Sequence, residues 1–171
     1  FICSDQQRTD TMECYGNDWV KAPNLNFLAT QSYVFENSYV TQAVCTPARA
    51  TMMTGLYPHS AGVIRNNTPG RSGSTLSPHT KCLSEMVPDD YVTAYFGKWH
   101  LTNITESNTN ENALGYNGMS QMFRKYGFDN SDQPGERDMG QGGYKYDGLT
   151  AKSASSFILE RKNNDKPWSA F

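Results

Sequence analysis

Cys45-Thr46-Pro47-Ala48-Arg49-Ala50-Thr51-Met52-Met53-Thr54-Gly55 decides how this chain folds. Thr46 can cap a helix, Pro47 suits a first helical position, where a missing N–H costs nothing, and Gly55 suits the place just past a helix end. The stretch is expected to be a helix with Cys45 at its N-terminus. Arg49, four residues on, then shares a helix face with residue 45.

Toward the N-terminus, Tyr33-Val34-Phe35-Glu36-Asn37-Ser38-Tyr39-Val40 is aromatic and β-branched and favours a strand. Residues 23–32 predict a helix, with Pro23 at its first position and Leu25, Leu28 and Ala29 on one face. Phe1-Ile2-Cys3-Ser4 is a short apolar run, expected as the end of a buried strand, and polar residues follow from Asp5 to the turn signal Tyr15-Gly16-Asn17.

Toward the C-terminus, residues 56–77 are rich in Gly, Pro, Asn and Ser and predict a long surface loop. Residues 81–87 predict a short helix. Tyr91-Val92-Thr93-Ala94-Tyr95-Phe96 is a strand stopped by Gly97. Residues 102–147 lack periodicity and are rich in Asn, Gly and Asp, as expected of an excursion around a substrate entrance. Residues 150–162 return to a helical pattern, with Ala151, Ala154, Phe157 and Ile158 on one face, and Pro167-Trp168-Ser169-Ala170-Phe171 predicts a strand. Strands alternating with helices make an α/β fold.

The 171 residues carry a net charge of −2 with no basic block, which argues against a nucleic-acid surface. No apolar run approaches the roughly 20 residues of a membrane span. Cys3, Cys14, Cys45 and Cys82 lie far apart without a C-x-x-C pair, which disfavours a zinc ribbon or a dithiol redox site and leaves one disulfide of undetermined pairing open. The chain opens on Phe1 instead of Met, so an upstream piece, including any signal peptide, is expected to be missing. N-x-T triplets begin at Asn66 and Asn103 and carry little weight in an Asn-rich chain.

Three places carry chemistry. A helix N-terminus at Cys45 offers free N–H groups and partial positive charge to an anion, and a guanidinium at Arg49 can steady an alkoxide there. Asp5-Gln6, expected just beyond the first strand, offers an acidic side chain and an amide oxygen to a hard divalent cation; Asp10 is the nearest rival carboxylate. Gly97-Lys98-Trp99-His100-Leu101 follows the strand ending at Phe96. In an extended chain Lys98 and His100 point to one side and Trp99 to the other, toward the core. Lys98 can meet a tetrahedral anion as a point charge, and His100 can move a proton. His59 is expected to fix the loop after the helix, and His79 to be exposed.

Cys45-Thr46-Pro47-Ala48-Arg49 resembles the C-x-P-x-R signature of type I sulfatases, and Gly97-Lys98-Trp99-His100-Leu101 and Gly55-Leu56-Tyr57-Pro58-His59-Ser60-Ala61-Gly62 resemble further segments of that family. The similarity covers most of residues 1–101 with the motifs in family order. It implies the alkaline phosphatase-like fold, a central mixed sheet flanked by helices on both sides. It implies that a maturation enzyme oxidises Cys45 to formylglycine, whose hydrate attacks sulfur. It implies that Arg49, Lys98 and His100 are catalytic, that Lys98 and His100 bind sulfate, and that Asp5, Gln6 and residue 45 ligate a metal. The Asp-Gln form of the metal pair leaves Ca²⁺ the leading candidate, with Mg²⁺ or Mn²⁺ open.

Family members complete this metal site from a later segment, so residues 1–171 are expected to be the N-terminal part of a catalytic domain and inactive alone. The implied substrate is a sulfated glycan or a small sulfate ester, and the implied compartment is periplasmic, extracellular or lysosome-like. A phosphonate monoester or phosphodiester hydrolase and an inactive sulfated-glycan-binding relative are the competing readings.

Overall fold

The computed structural model describes residues 1–68, 70–102, 122–132 and 144–171. Most of the excursion expected over 102–147, with the triplet at Asn103, lies outside the described residues. The chain divides into two compact units, Ile2–Val40 and Thr41–Phe171, the second including Phe1.

The Thr41–Phe171 unit is built on three parallel strands in the order β2-β1-β3, with β1 at Val92–Phe96, β2 at Asn130–Asp132 and β3 at Trp168–Ala170. Ala94 pairs with Asn130 on one side and with Ala170 on the other. Among the described residues the sheet consists of these three parallel strands. The strand at Asn130–Asp132 was not foreseen, because a run of Asn, Ser and Asp has no β-branched or aromatic signal. It is placed by its neighbour instead. The Asp129 carboxylate accepts the Thr93 N–H at 2.9 Å, and the Thr93 hydroxyl donates to the Gly127 carbonyl at 2.8 Å.

Consecutive β1 side chains serve opposite faces. Tyr95 stacks on Phe123 at 5.1 Å and meets Trp99 and Phe128 edge-on at 5.1 and 5.3 Å. Ala50 and Met53 of the helix α2, Cys45–Thr54, belong to the same buried cluster. On the other side Phe96 lies 5.6 Å from Phe157 of the helix α3, Tyr144–Arg161, and Phe157 meets Trp168 of β3. Helices thus serve both faces, as the α/β reading requires. The helix expected over 150–162 starts earlier, at Tyr144.

The surface loop expected over 56–77 is corrected. Its described residues form no helix or strand, but Ala61, Val63, Ser74 and Leu76 are buried. Its Gly and Pro residues turn the chain while its few apolar side chains pin it to the core. Residues 81–87 contain only a 3₁₀ turn, Leu83–Glu85. Cys82 N–H donates to the Glu85 carboxylate at 2.9 Å, a capping box that closes that turn.

Within Ile2–Val40 the helix α1, Pro23–Thr30, forms with Pro23 at its start, as expected. The strands expected over 1–4 and 33–40 do not form. A strand is stabilised by a ladder partner and a covered face. Here Ile2 is 97% exposed and Tyr39 94%. Phe1 makes one bond, from its amino group to the Ala170 carbonyl at 2.8 Å, and Phe35 accepts one from the Tyr15 hydroxyl at 2.8 Å.

Candidate active site

α2 begins at Cys45 itself. Val44 is the N-cap and makes no side-chain cap, and Gly55 closes the helix in the left-handed region at φ 70°. Cys45 therefore heads the helix as expected, but Thr46 is its second residue and Pro47 its third. The cap comes from a distant loop. Asn66 Oδ1 accepts the Thr46 N–H at 3.0 Å, and the Asn67 N–H donates to Thr46 Oγ1 at 3.0 Å.

This arrangement alters the expected anion site. Of the donors at the helix start, Val44 N–H bonds the Gln42 carbonyl at 2.8 Å, Thr46 N–H is held by Asn66, and Pro47 has none. The dipole of α2 still favours negative charge at residue 45. The Val44 and Thr46 donors of the helix start are engaged within the protein.

A side chain supplies the positive charge. β1 ends at Phe96, and Gly97 turns the chain at φ 86°, a conformation that disfavours any Cβ. Lys98 follows, and its ammonium donates toward Cys45 Sγ at 3.8 Å. The buried Arg49 sends Nη1 to the Lys98 carbonyl at 2.7 Å, and the Tyr95 hydroxyl donates to the same carbonyl. Arg49 thus ties α2 to the turn that carries Lys98. The structure brings Cys45, Arg49 and Lys98 together.

His100 is half-buried two residues beyond Lys98, and its φ is 54°. With Gly97 also in the left-handed region, residues 97–100 are not extended, so the alternation expected to align Lys98 with His100 does not apply. Trp99 is buried at 1% exposure, as expected.

Asp5 and Gln6 are exposed residues of the Ile2–Val40 unit, and Gln6 has φ 56°. Left-handed backbone is costly for a side chain larger than Asn, and such positions are enriched at functional sites. Asp10 is held by Arg8 in a two-bond pair at 2.6 and 2.9 Å, which lowers its pKa, chiefly through the hydrogen bond. Among the described residues no cluster of three or more His, Cys, Asp or Glu could hold a metal. All four cysteines are free thiols. His59 is exposed and stacks on Tyr57 at 5.9 Å, and His79 is exposed.

Sequence reasoning missed Tyr95, Asn66 and Asn67. Tyr95 was visible only as a strand residue. Asn66 acts on a helix 20 residues away, beyond the reach of any local capping rule.

A sequence model of the sulfatase family matches residues 1–171. The chain belongs to the sulfatase family. Among curated sulfatases it is 36% identical to the uncharacterized sulfatase YidJ of Escherichia coli (strain K12) over 59% of this chain and 19% of that protein. It is 28% identical to an ulvan-active sulfatase of Formosa agariphila over 99% of this chain and 33% of that protein. A Bacteroides fragilis structure described as the sulfatase yidJ superimposes with a TM-score of 0.72 at 27% identity, over 97% of this chain and 41% of that one. This sulfatase chain therefore spans about a fifth to a third of the length of those curated relatives. Among its described residues no helix is long and apolar enough to cross a membrane.

Proposed function

We propose that the chain is the N-terminal part of the catalytic domain of an enzyme that hydrolyses sulfate esters, with a formylglycine made from Cys45 as nucleophile. The supporting observation is the Lys98 ammonium 3.8 Å from the residue-45 heteroatom, on a turn anchored by Arg49. The sulfur stands where an aldehyde hydrate would stand after maturation by a formylglycine-generating enzyme. That hydrate supplies one hydroxyl to attack sulfur and a second whose deprotonation releases sulfate. Lys98 holds a positive charge where a tetrahedral anion would meet residue 45. Arg49 keeps that turn in register with the helix start. His100 is the group assigned to proton movement as the ester to the enzyme breaks down.

Asp5 and Gln6 present hard oxygen donors that suit a divalent cation, with Ca²⁺ the leading candidate and Mg²⁺ or Mn²⁺ open. Such a cation would supply Lewis-acid polarisation of an oxygen in the reaction. Exposed apolar side chains of Ile2–Val40, such as Ile2, Trp19 and Tyr39, are surface that chain beyond Phe171 would cover. The substrate is a sulfated glycan or a small sulfate ester, met outside the cytoplasm. A name such as "ulvan-active" in a relative supports the glycan class without choosing the glycan.

The test uses the complete polypeptide coexpressed with a formylglycine-generating enzyme. Mass spectrometry of the peptide carrying residue 45 should show a loss of about 18 Da. The protein should cleave 4-nitrophenyl sulfate faster than a phosphonate monoester, and Cys45→Ala should abolish that cleavage. A faster phosphonate reaction would favour the competing hydrolase. An unmodified, inactive protein that binds sulfated glycans would favour the binding reading.

A further inference from the structure

The first turn of α2 is fastened from outside the helix. Asn66 Oδ1 takes the Thr46 N–H and the Asn67 N–H takes Thr46 Oγ1, both at 3.0 Å, so Thr46 is gripped at backbone and side chain by adjacent loop residues. Thr46 is fully buried. The gripping loop is itself tied down. Ile64 and Arg65 N–H groups bond the Gly73 carbonyl at 2.8 and 3.2 Å, and Gln42 Nε2 bonds the Ile64 carbonyl at 3.1 Å. The loop is pinned at either end by the buried Val63 and Leu76.

We propose that Asn66 is a positioning residue for position 45: its amide oxygen fixes the first turn of α2 and thereby sets where the residue-45 side chain stands relative to the Lys98 ammonium. This rests on residue 45 being the nucleophile. A helix start without a cap frays, and a shift of about 1 Å in a reacting group costs on the order of 100-fold in rate.

The experiment compares Asn66→Ala and Asn66→Asp with wild type in the complete, matured polypeptide, using 4-nitrophenyl sulfate and rates normalised to aldehyde content at residue 45. Asn66→Ala should lower kcat per aldehyde roughly 10- to 100-fold with KM within about twofold. Asn66→Asp keeps the acceptor oxygen, so kcat should return to within about threefold of wild type. Its added charge should raise KM for the anionic ester, an increase that salt diminishes. Amide hydrogen exchange gives a readout independent of turnover: the Thr46 N–H should exchange at least about tenfold faster in Asn66→Ala and stay protected in Asn66→Asp. Unchanged kcat in Asn66→Ala, no rescue by Asp, or unchanged Thr46 exchange would each overturn the proposal. Full activity in Cys45→Ala would instead overturn the nucleophile assignment, whatever Thr46 exchange shows.

Discussion

The ammonium of Lys98 lies 3.8 Å from the sulfur of Cys45, although 53 residues separate them in sequence. Two elements create that proximity: the start of α2, capped from a loop, and the end of β1, turned by Gly97. Arg49 spans them by bonding the carbonyl of the residue whose side chain reaches back to the helix start. Half-buried chemistry of this kind depends less on each residue's charge than on the scaffold that fixes its distance.

Lys98→Met keeps most of the apolar stem and removes the charge. In the complete, matured enzyme it should lower kcat/KM for an aryl sulfate by roughly 100- to 1,000-fold, the scale of losing one preorganised donor to a developing anion. Steady-state kinetics normalised to aldehyde content would measure this. Activity within a few-fold of wild type would remove Lys98 from the reaction.

Arg49→Ala should cost stability as well as rate. It deletes a buried guanidinium bonded at 2.7 Å to the Lys98 carbonyl, a charged hydrogen bond of about 1.5–3 kcal/mol, and leaves that carbonyl to the Tyr95 hydroxyl. The urea midpoint of the complete protein should fall accordingly. Arg49→Lys should recover little of either loss, because an ammonium on a flexible stem does not reproduce the planar fork.

Local signals foretold the local features. Pro23 and Gly55 marked a helix start and a helix end, and Val92, Tyr95 and Phe96 marked β1, because capping and β-propensity act within a few residues. The Cys45, Arg49 and Lys98 constellation was legible mainly because the segments that carry these residues resemble sulfatase motifs, with the helix start and the strand end as local markers. Features that depend on partners were not. Residues 33–40 have strand composition but no ladder, while Asn130–Asp132 has no strand composition and pairs because Thr93 and Asp129 hold it against β1. The Asn66 cap and the bend at His100 arise from tertiary contacts and a left-handed backbone that residue spacing does not encode.

Gly127→Ala should destabilise the protein by about 2 kcal/mol or more. Gly127 has φ 77°, where an L side chain costs roughly 1–2 kcal/mol. An added Cβ would also overlap Glu85 Cγ and lie 3.1 Å from Ser84 Oγ, in the turn closed by the Cys82–Glu85 capping box. Chemical denaturation of the complete protein would measure the loss. A midpoint equal to wild type would overturn both the backbone cost at φ 77° and the steric cost against the Leu83–Glu85 turn.

Alkaline pH should weaken the fold through Cys82 and Tyr126. Burial, reinforced by the Glu85 charge, pushes the Cys82 thiol from 9.0 up to about 12. Burial, reinforced by Cys82, pushes the Tyr126 phenol from 10.0 up to about 12, while its hydroxyl donates to the Leu76 carbonyl at 3.0 Å. The folded state therefore keeps both protons at a pH where the unfolded chain has released them. With fewer protons bound in the unfolded state, stability falls as pH rises. The contribution is fully present below about pH 9 and is lost progressively as pH climbs through about 12. Urea midpoints measured from about pH 8 to 11 should decline. Cys82→Ala should flatten the decline that begins near pH 9 and leave the part that begins near pH 10, where the phenol of the unfolded chain ionises. A variant with the wild-type slope throughout would exclude Cys82 as its source.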